Sequence, residues 1–176
     1  LGSFIFGLPS DHDLTFDATV AVAQQAGVTF AQFVMLTPFP GTNDFAAWEK
    51  SMADDPTRIG GVPLTRHWLI PQGLRPKVYT PHPTMSADDI RKGTQRAWDQ
   101  FYSLGNIWNR SQCVQSLKSR VAFVLISKLY RQMYANTGIA TDSARVGRSA
   151  QWARWIANPC RRLFTARPMP DLTVPA

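Results

Sequence analysis

Ser3-Phe4-Ile5-Phe6-Gly7-Leu8-Pro9, and after a gap the run Val28-Thr29-Phe30-Ala31-Gln32-Phe33-Val34-Met35-Leu36 that leads into Thr37-Pro38-Phe39-Pro40-Gly41-Thr42, decide the fold. Both runs are short, continuous and apolar, the pattern of strands covered on two faces. The first stops where Gly7 frees the backbone and Pro9 removes a ladder donor. A helix is predicted from about Asp11–Thr15, where acidic side chains oppose its positive end. Phe16, Val20, Ala23 and Ala26 or Gly27 form one buried stripe, and Gly27 stands where a helix C′ glycine belongs. Roughly 20 residues between the strands leave room for a crossover helix, hence for parallel pairing. Two parallel strands need neighbours. The chain therefore reads as a fragment that continues a larger barrel or open sheet, with its earlier strands before Leu1. In either architecture the ligand rim lies at the strand carboxyl ends, here the loops 7–12 and 37–42.

Outward from this unit, Asn43–Lys50 suits a short helix. Residues 51–85 lack periodicity and are dense in Pro and Gly, the mark of an ordered, extended connector that packs through Trp68, Leu69, Ile70, Val78 and Tyr79. Ser86-Ala87-Asp88-Asp89 has the form of a capping box. The helix it opens carries Ile90, Thr94, Ala97, Trp98 and Phe101 on one face and is expected to end near Gly105. A second helix is expected over Gln112–Ala135, stopped by Asn136-Thr137-Gly138. A third runs from Thr141 or Asp142 to Ile156, within a helical extension spanning 86–166, and a proline-rich tail occupies 167–176.

Charge divides the chain. Residues 1–60 carry a net −5 and residues 61–176 a net +12. Within 106–167, eleven basic side chains accompany one acid, Asp142, with tyrosines and tryptophans interleaved. Such helices suit an anionic membrane surface, an RNA backbone, or simply a bundle whose arginines cover an acidic neighbour such as the first half of this chain. No RNA-binding motif accompanies the charge, so nucleic acid is the least supported of these. The longest apolar run, Val121–Ile126, is far short of the roughly 20 residues of a membrane-spanning helix. Cys113 and Cys160 lie 47 positions apart without a CxxC and cannot by themselves ligate an iron–sulfur or structural zinc site. They read as thiols in a reducing cytosol, and no secretory signal opens the chain, so the expected location is cytoplasmic, with peripheral membrane contact open. No GxSxG, P-loop or dinucleotide fingerprint is present. His12, His67 and His82 form no metal-ligand pattern. His12 stands in a rim loop beside Asp11 and Asp13, where it is either a helix-start residue or a weak candidate for substrate contact and proton transfer. His82, between two prolines, reads as a packing element.

Gly2-Ser3-Phe4-Ile5-Phe6-Gly7-Leu8-Pro9 and Phe33-Val34-Met35-Leu36-Thr37-Pro38-Phe39-Pro40-Gly41-Thr42, at this spacing, resemble the fifth and sixth strands of a radical S-adenosylmethionine barrel. The similar subgroup has an N-terminal cobalamin-binding domain, and the resemblance covers residues 2–50. It implies the fold class α/β followed by mainly α: the last βαβ unit of a partial TIM-type barrel (1–50), then the connector and a helical C-terminal extension. It also implies that S-adenosylmethionine meets these strand ends. Ile5 matches an apolar position packed near adenine and Gly7 a glycine of close approach. Leu8 belongs to the same loop, and Pro38 and Phe39 sit at the second strand end. The family's leading glycine is Ser3 here and its terminal acidic position falls on Ser10. The cluster motif CxxxCxxC is absent, so the ligands of a four-iron four-sulfur cluster, like any cobalamin domain, belong to other parts of the polypeptide, the expected partner of this one. The implied chemistry is reductive cleavage of S-adenosylmethionine to a 5′-deoxyadenosyl radical, often followed by methyl transfer through cobalamin onto a small-molecule or lipid substrate. Residues 1–176 alone are not expected to perform it. The residues also suit a generic α/β unit, with Phe4, Ile5, Phe6, Phe33 and Met35 plain core. A non-enzymatic module whose basic helices dock on a membrane or a partner protein is the alternative function.

Overall fold

The computed structural model describes residues 1–55 and 57–137. The expected third helix, the tail and Cys160 lie outside the described residues. Strand β1 (Gly2–Phe6), helix α1 (Asp13–Gln25) and strand β2 (Ala31–Met35) form the unit, and the strands pair in parallel with Phe4 opposite Phe33 and Phe6 opposite Met35. β2 is shorter than the apolar run that encodes it, because the run's start is used to leave the helix. Gly27 adopts φ 63°, its N–H donates to Gln24 O, and Val28 N–H donates to Ala23 O, a Schellman closure.

One face of this pair is buried and the other is not. Phe4, Phe6 and Phe33 point toward the helices, where Phe6 meets Phe16 of α1 with ring centroids 4.6 Å apart. Ser3, Ile5, Gln32 and Val34 alternate onto the opposite face. Ser3 and Ile5 are exposed there, Gln32 and Val34 half-buried. The sequence-based expectation of cover on both faces thus holds for one face within the described residues.

Helix α2 (Asn43–Ser51), capped by Thr42 Oγ1 accepting from Phe45 N–H, leads to a two-residue hairpin, β3 (Arg58–Ile59) and β4 (Val62–Pro63). Two 3-10 turns follow, 64–69 and 72–74. Helix α3 (Ala87–Phe101) starts in the expected capping box: Ser86 Oγ accepts from Asp89 N–H, and Asp89 Oδ2 accepts from Ser86 N–H. The Ser86 hydroxyl also donates to Asp89 Oδ2, and this bond, with the one from Ser86 N–H, holds the Asp89 carboxyl below its ordinary range. α3 ends at Phe101, earlier than expected, because Ser103 caps a separate helix, α4 (Leu104–Arg110). Likewise α5 spans Leu117–Thr137 and starts after the expected Gln112, since Ser111–Cys113 form a 3-10 turn and Ser116 Oγ accepts from Ser119 N–H.

α3 seals the outer edge of β2. In that strand, Ala31, Phe33 and Met35 aim their backbone groups away from β1. The Tyr102 hydroxyl donates to Ala31 O at 2.9 Å and accepts from Ala31 N–H at 3.0 Å, so one phenol answers both groups of a residue as a neighbouring strand does. Trp98 Nε1 donates to Phe33 O at 2.7 Å. Burial pushes the Tyr102 hydroxyl up to about 12, so it keeps its proton at ordinary pH. At the other edge, Ser3 and Ile5 of β1 present backbone groups with no strand beside them among the described residues.

The charge halves meet inside the fold. Arg96 of α3 reaches Asp13 at 3.0 Å and Asp17 at 3.3 Å on α1, and Arg66 pairs with Glu49. These exposed pairs each contribute little stability, on the order of 0–1 kcal/mol, and engage three of the first half's seven acidic side chains. In the basic extension, Arg110 stacks on Phe101 at 3.7 Å, Lys128 donates to Tyr102 O and Arg131 pairs with Asp99.

Candidate functional site

The parallel register brings the two proline-bearing loops to one end of the sheet. Leu36 N–H donates to Phe6 O, which carries the pairing to the last residue before each loop. Gly7 adopts φ 94°, a conformation that a side chain resists. A Cβ built there would meet Ile90 and Leu36 at 3.7 Å, ordinary contact, so the backbone angle and not crowding is what requires glycine.

The loop after β1 is organised by Asp11. Its buried Oδ2 accepts from Gly7 N–H at 2.8 Å and Leu8 N–H at 3.0 Å, while Asp11 N–H donates back to Leu8 O. Sequence reasoning placed Asp11 only as a helix-start acid; its spacing of four and three from the amides it holds is the signal available. His12 is the N-cap residue of α1, with its N–H donating to Thr15 Oγ1 and its Nδ1 3.0 Å from the same hydroxyl. This is the helix-start role.

The other candidates divide by exposure. Pro38 is buried. Ile5 is 51%, Leu8 42% and Phe39 64% exposed. Ile5 lies on the uncovered sheet face, beside Ser3 and Gln32. His67 and His82 both reach the rim from the connector, with Nε2 2.9 Å from Pro38 O and Leu8 O respectively. His82 is therefore a hydrogen-bonding residue of the site and more than a packing element.

No group of three or more His, Cys, Asp or Glu side chains among the described residues is placed to hold a metal ion. Cys113 is exposed and free. A four-iron four-sulfur cluster does not fit these residues, and Ile5, Leu8 and Phe39 are exposed apolar side chains. No helix of the described residues is long and apolar enough to cross a membrane.

No family model matches the chain, and no solved structure matches it. Two curated proteins are similar to it. Over 102 residues, 58% of this chain, it is 31% identical to an uncharacterized methyltransferase of Pyrococcus horikoshii, of which it covers 20%. Over 81 residues, 39% of this chain, it is 32% identical to the bacteriochlorophyllide d C-12(1)-methyltransferase of Chlorobaculum tepidum, of which it covers 18%. The chain thus spans about a fifth of the length of the curated relatives it matches, and both of those relatives are named as methyltransferases.

Proposed function

We propose that residues 1–50 close the barrel of a radical S-adenosylmethionine enzyme, a cobalamin-dependent methyltransferase, in which the rim loops 7–12 and 37–42 receive the adenosyl group. The observation that carries this reading is the pair of strand-end loops in parallel register with exposed apolar side chains at their mouth. The similarity to two methyltransferases supports the group-transfer class. The open edge of β1 and the uncovered face bearing Ser3, Ile5, Gln32 and Val34 suit a partial TIM-type barrel completed by strands from the rest of the polypeptide, with the uncovered face turned inward.

When bound, S-adenosylmethionine would supply the radical chemistry and cobalamin a methyl carrier; the iron–sulfur cluster and cobalamin would be held by other parts of the polypeptide. The part played by this chain is narrower. Leu8 and Phe39 offer apolar contact to a purine edge, Ile5 packs beneath it, and Gly7 lets the backbone turn under the ligand. Pro38 stiffens the second loop by fixing its φ.

The test is equilibrium binding of S-adenosylmethionine to the polypeptide encoded by the complete reading frame, wild type and Gly7→Val. Forcing a β-branched residue to φ 94° strains the loop, at a cost on the order of 1–3 kcal/mol. Binding is expected to weaken roughly 5- to 150-fold, with iron content per chain unchanged. Equal affinity in the variant removes Gly7 from the site.

A second reading is favoured by one feature of α5. Leu117, Val121, Leu125, Leu129 and Met133 recur every four residues and are each about half or more exposed. This stripe suits an interaction module on a membrane surface or a partner protein. On this reading the chain co-sediments with phosphatidylglycerol vesicles at low salt and is released at roughly 0.5 M salt. Failure to sediment removes the membrane form of the idea.

A further inference from the structure

Both rim loops are held from outside by an imidazole, and both imidazoles come from the connector. His82 Nδ1 accepts from Thr84 N–H at 3.2 Å and from Met85 N–H at 3.0 Å. That leaves the ring hydrogen on Nε2, which donates to Leu8 O at 2.9 Å. His67 is buried against Tyr79 and Trp68, with ring centroids at 4.5 and 5.3 Å, and its Nε2 donates to Pro38 O at 2.9 Å. The carbonyls chosen belong to matching places, each two or three residues past the end of its strand.

Each loop has reason to need the tie. Pro38 and Pro40 contribute no N–H, so the second loop can make few hydrogen bonds of its own. Leu8 O already accepts from Asp11 N–H, so His82 adds a second donor to a carbonyl whose local requirement is met. His82 is only half-buried, and a single such bond contributes on the order of 1 kcal/mol of net stability. Its consequence lies in direction: it sets where Leu8 stands relative to the connector, as His67 does for Pro38.

We infer that His67 and His82 are positioning residues that clamp the two loops to the segment 64–85 and thereby set the affinity of the rim for its ligand. The ligand part of this inference rests on the adenosyl reading above; the clamp itself does not.

His82→Asn separates the tie from the fold. An asparagine oxygen at the δ position still accepts from Thr84 and Met85 N–H, so the turn is kept, but the side chain is too short to reach Leu8 O. His82→Gln carries an amide N–H to near the Nε2 position. In the polypeptide encoded by the complete reading frame, two quantities are measured: the Kd for S-adenosylmethionine, and hydrogen exchange of the peptide containing the Gly7 and Leu8 amides. His82→Asn is expected to raise both the Kd and the exchange rate about tenfold, with the melting midpoint lowered by no more than about 4 °C. His82→Gln is expected to recover most of the affinity. Wild-type exchange and wild-type affinity in His82→Asn overturn the inference, as does faster exchange with unchanged affinity. A fall in affinity that tracks a lower midpoint and is not rescued by glutamine also overturns it, since the role is then structural. If the wild type itself binds no S-adenosylmethionine, the adenosyl reading fails. The clamp is then decided by exchange alone: faster in His82→Asn supports it, unchanged overturns it.

Discussion

Trp98→Ala is expected to lower stability by about 5 kcal/mol, the upper end for removing a buried aromatic, read as a shift in urea midpoint at constant m. Two losses combine. The indole is fully buried, edge-on to Phe33 at 5.7 Å and stacked on Tyr102 at 5.5 Å, so truncation opens a large cavity at the centre of the core. It also strips Phe33 O of its donor on the outer edge of β2. An unsatisfied buried carbonyl adds on the order of 1–3 kcal/mol. Trp98→Phe keeps a ring, removes the donor and leaves a smaller void, so it is expected to cost about 3 kcal/mol. Should the two variants cost the same, the edge bond dominates and the packing argument is wrong. A cost below about 2 kcal/mol for alanine means the edge is sealed by something else.

Gly93→Leu is expected to cost at least about 3 kcal/mol, above the usual range for an overpacked core. α3 and α1 approach so closely at Gly93 that even a Cβ there would lie 2.6 Å from two ring atoms of Phe16. Phe16 is fully buried and held against Phe6, so it has no room to retreat. Gly93→Ala is milder, because alanine regains roughly 1 kcal/mol of helix propensity. The decisive measurement is a double-mutant cycle with Phe16→Leu. A smaller side chain at residue 16 is expected to return at least about 1 kcal/mol to Gly93→Ala. Simple additivity places the conflict elsewhere.

The βαβ unit was legible because its signals are local. Phe16, Val20 and Ala23 repeat at helical spacing, Gly27 closes the helix, and two apolar runs bracket it. The capping box at Ser86 was legible for the same reason. Ser103 and Ser116 were missed as caps, since a lone serine inside an apolar-periodic stretch does not announce a break. The edge-sealing by Trp98 and Tyr102 was invisible in principle: on a helical stripe, a residue that hydrogen-bonds a strand looks like any other core aromatic. In the candidate site, Gly7 and the prolines could be read from the chain. The histidines could not, because His67 and Pro38 are 29 positions apart and His82 and Leu8 are 74, and no local pattern links a ring nitrogen to so distant a carbonyl.

The seal on β2 also sets a timetable for synthesis. The groups that cover its outer edge lie in Trp98 and Tyr102, long after Met35 has left the ribosome. At roughly 5–20 residues per second, that edge stays unprotected for some 3–13 s. During this interval the nascent chain offers Ala31 and Phe33 to any passing strand, the ordinary route to edge-to-edge aggregation. A message truncated between these positions yields a product that keeps the hazard permanently. α3 is thus a terminator of strand addition as well as a piece of core, and heterologous expression of shorter versions should retain it.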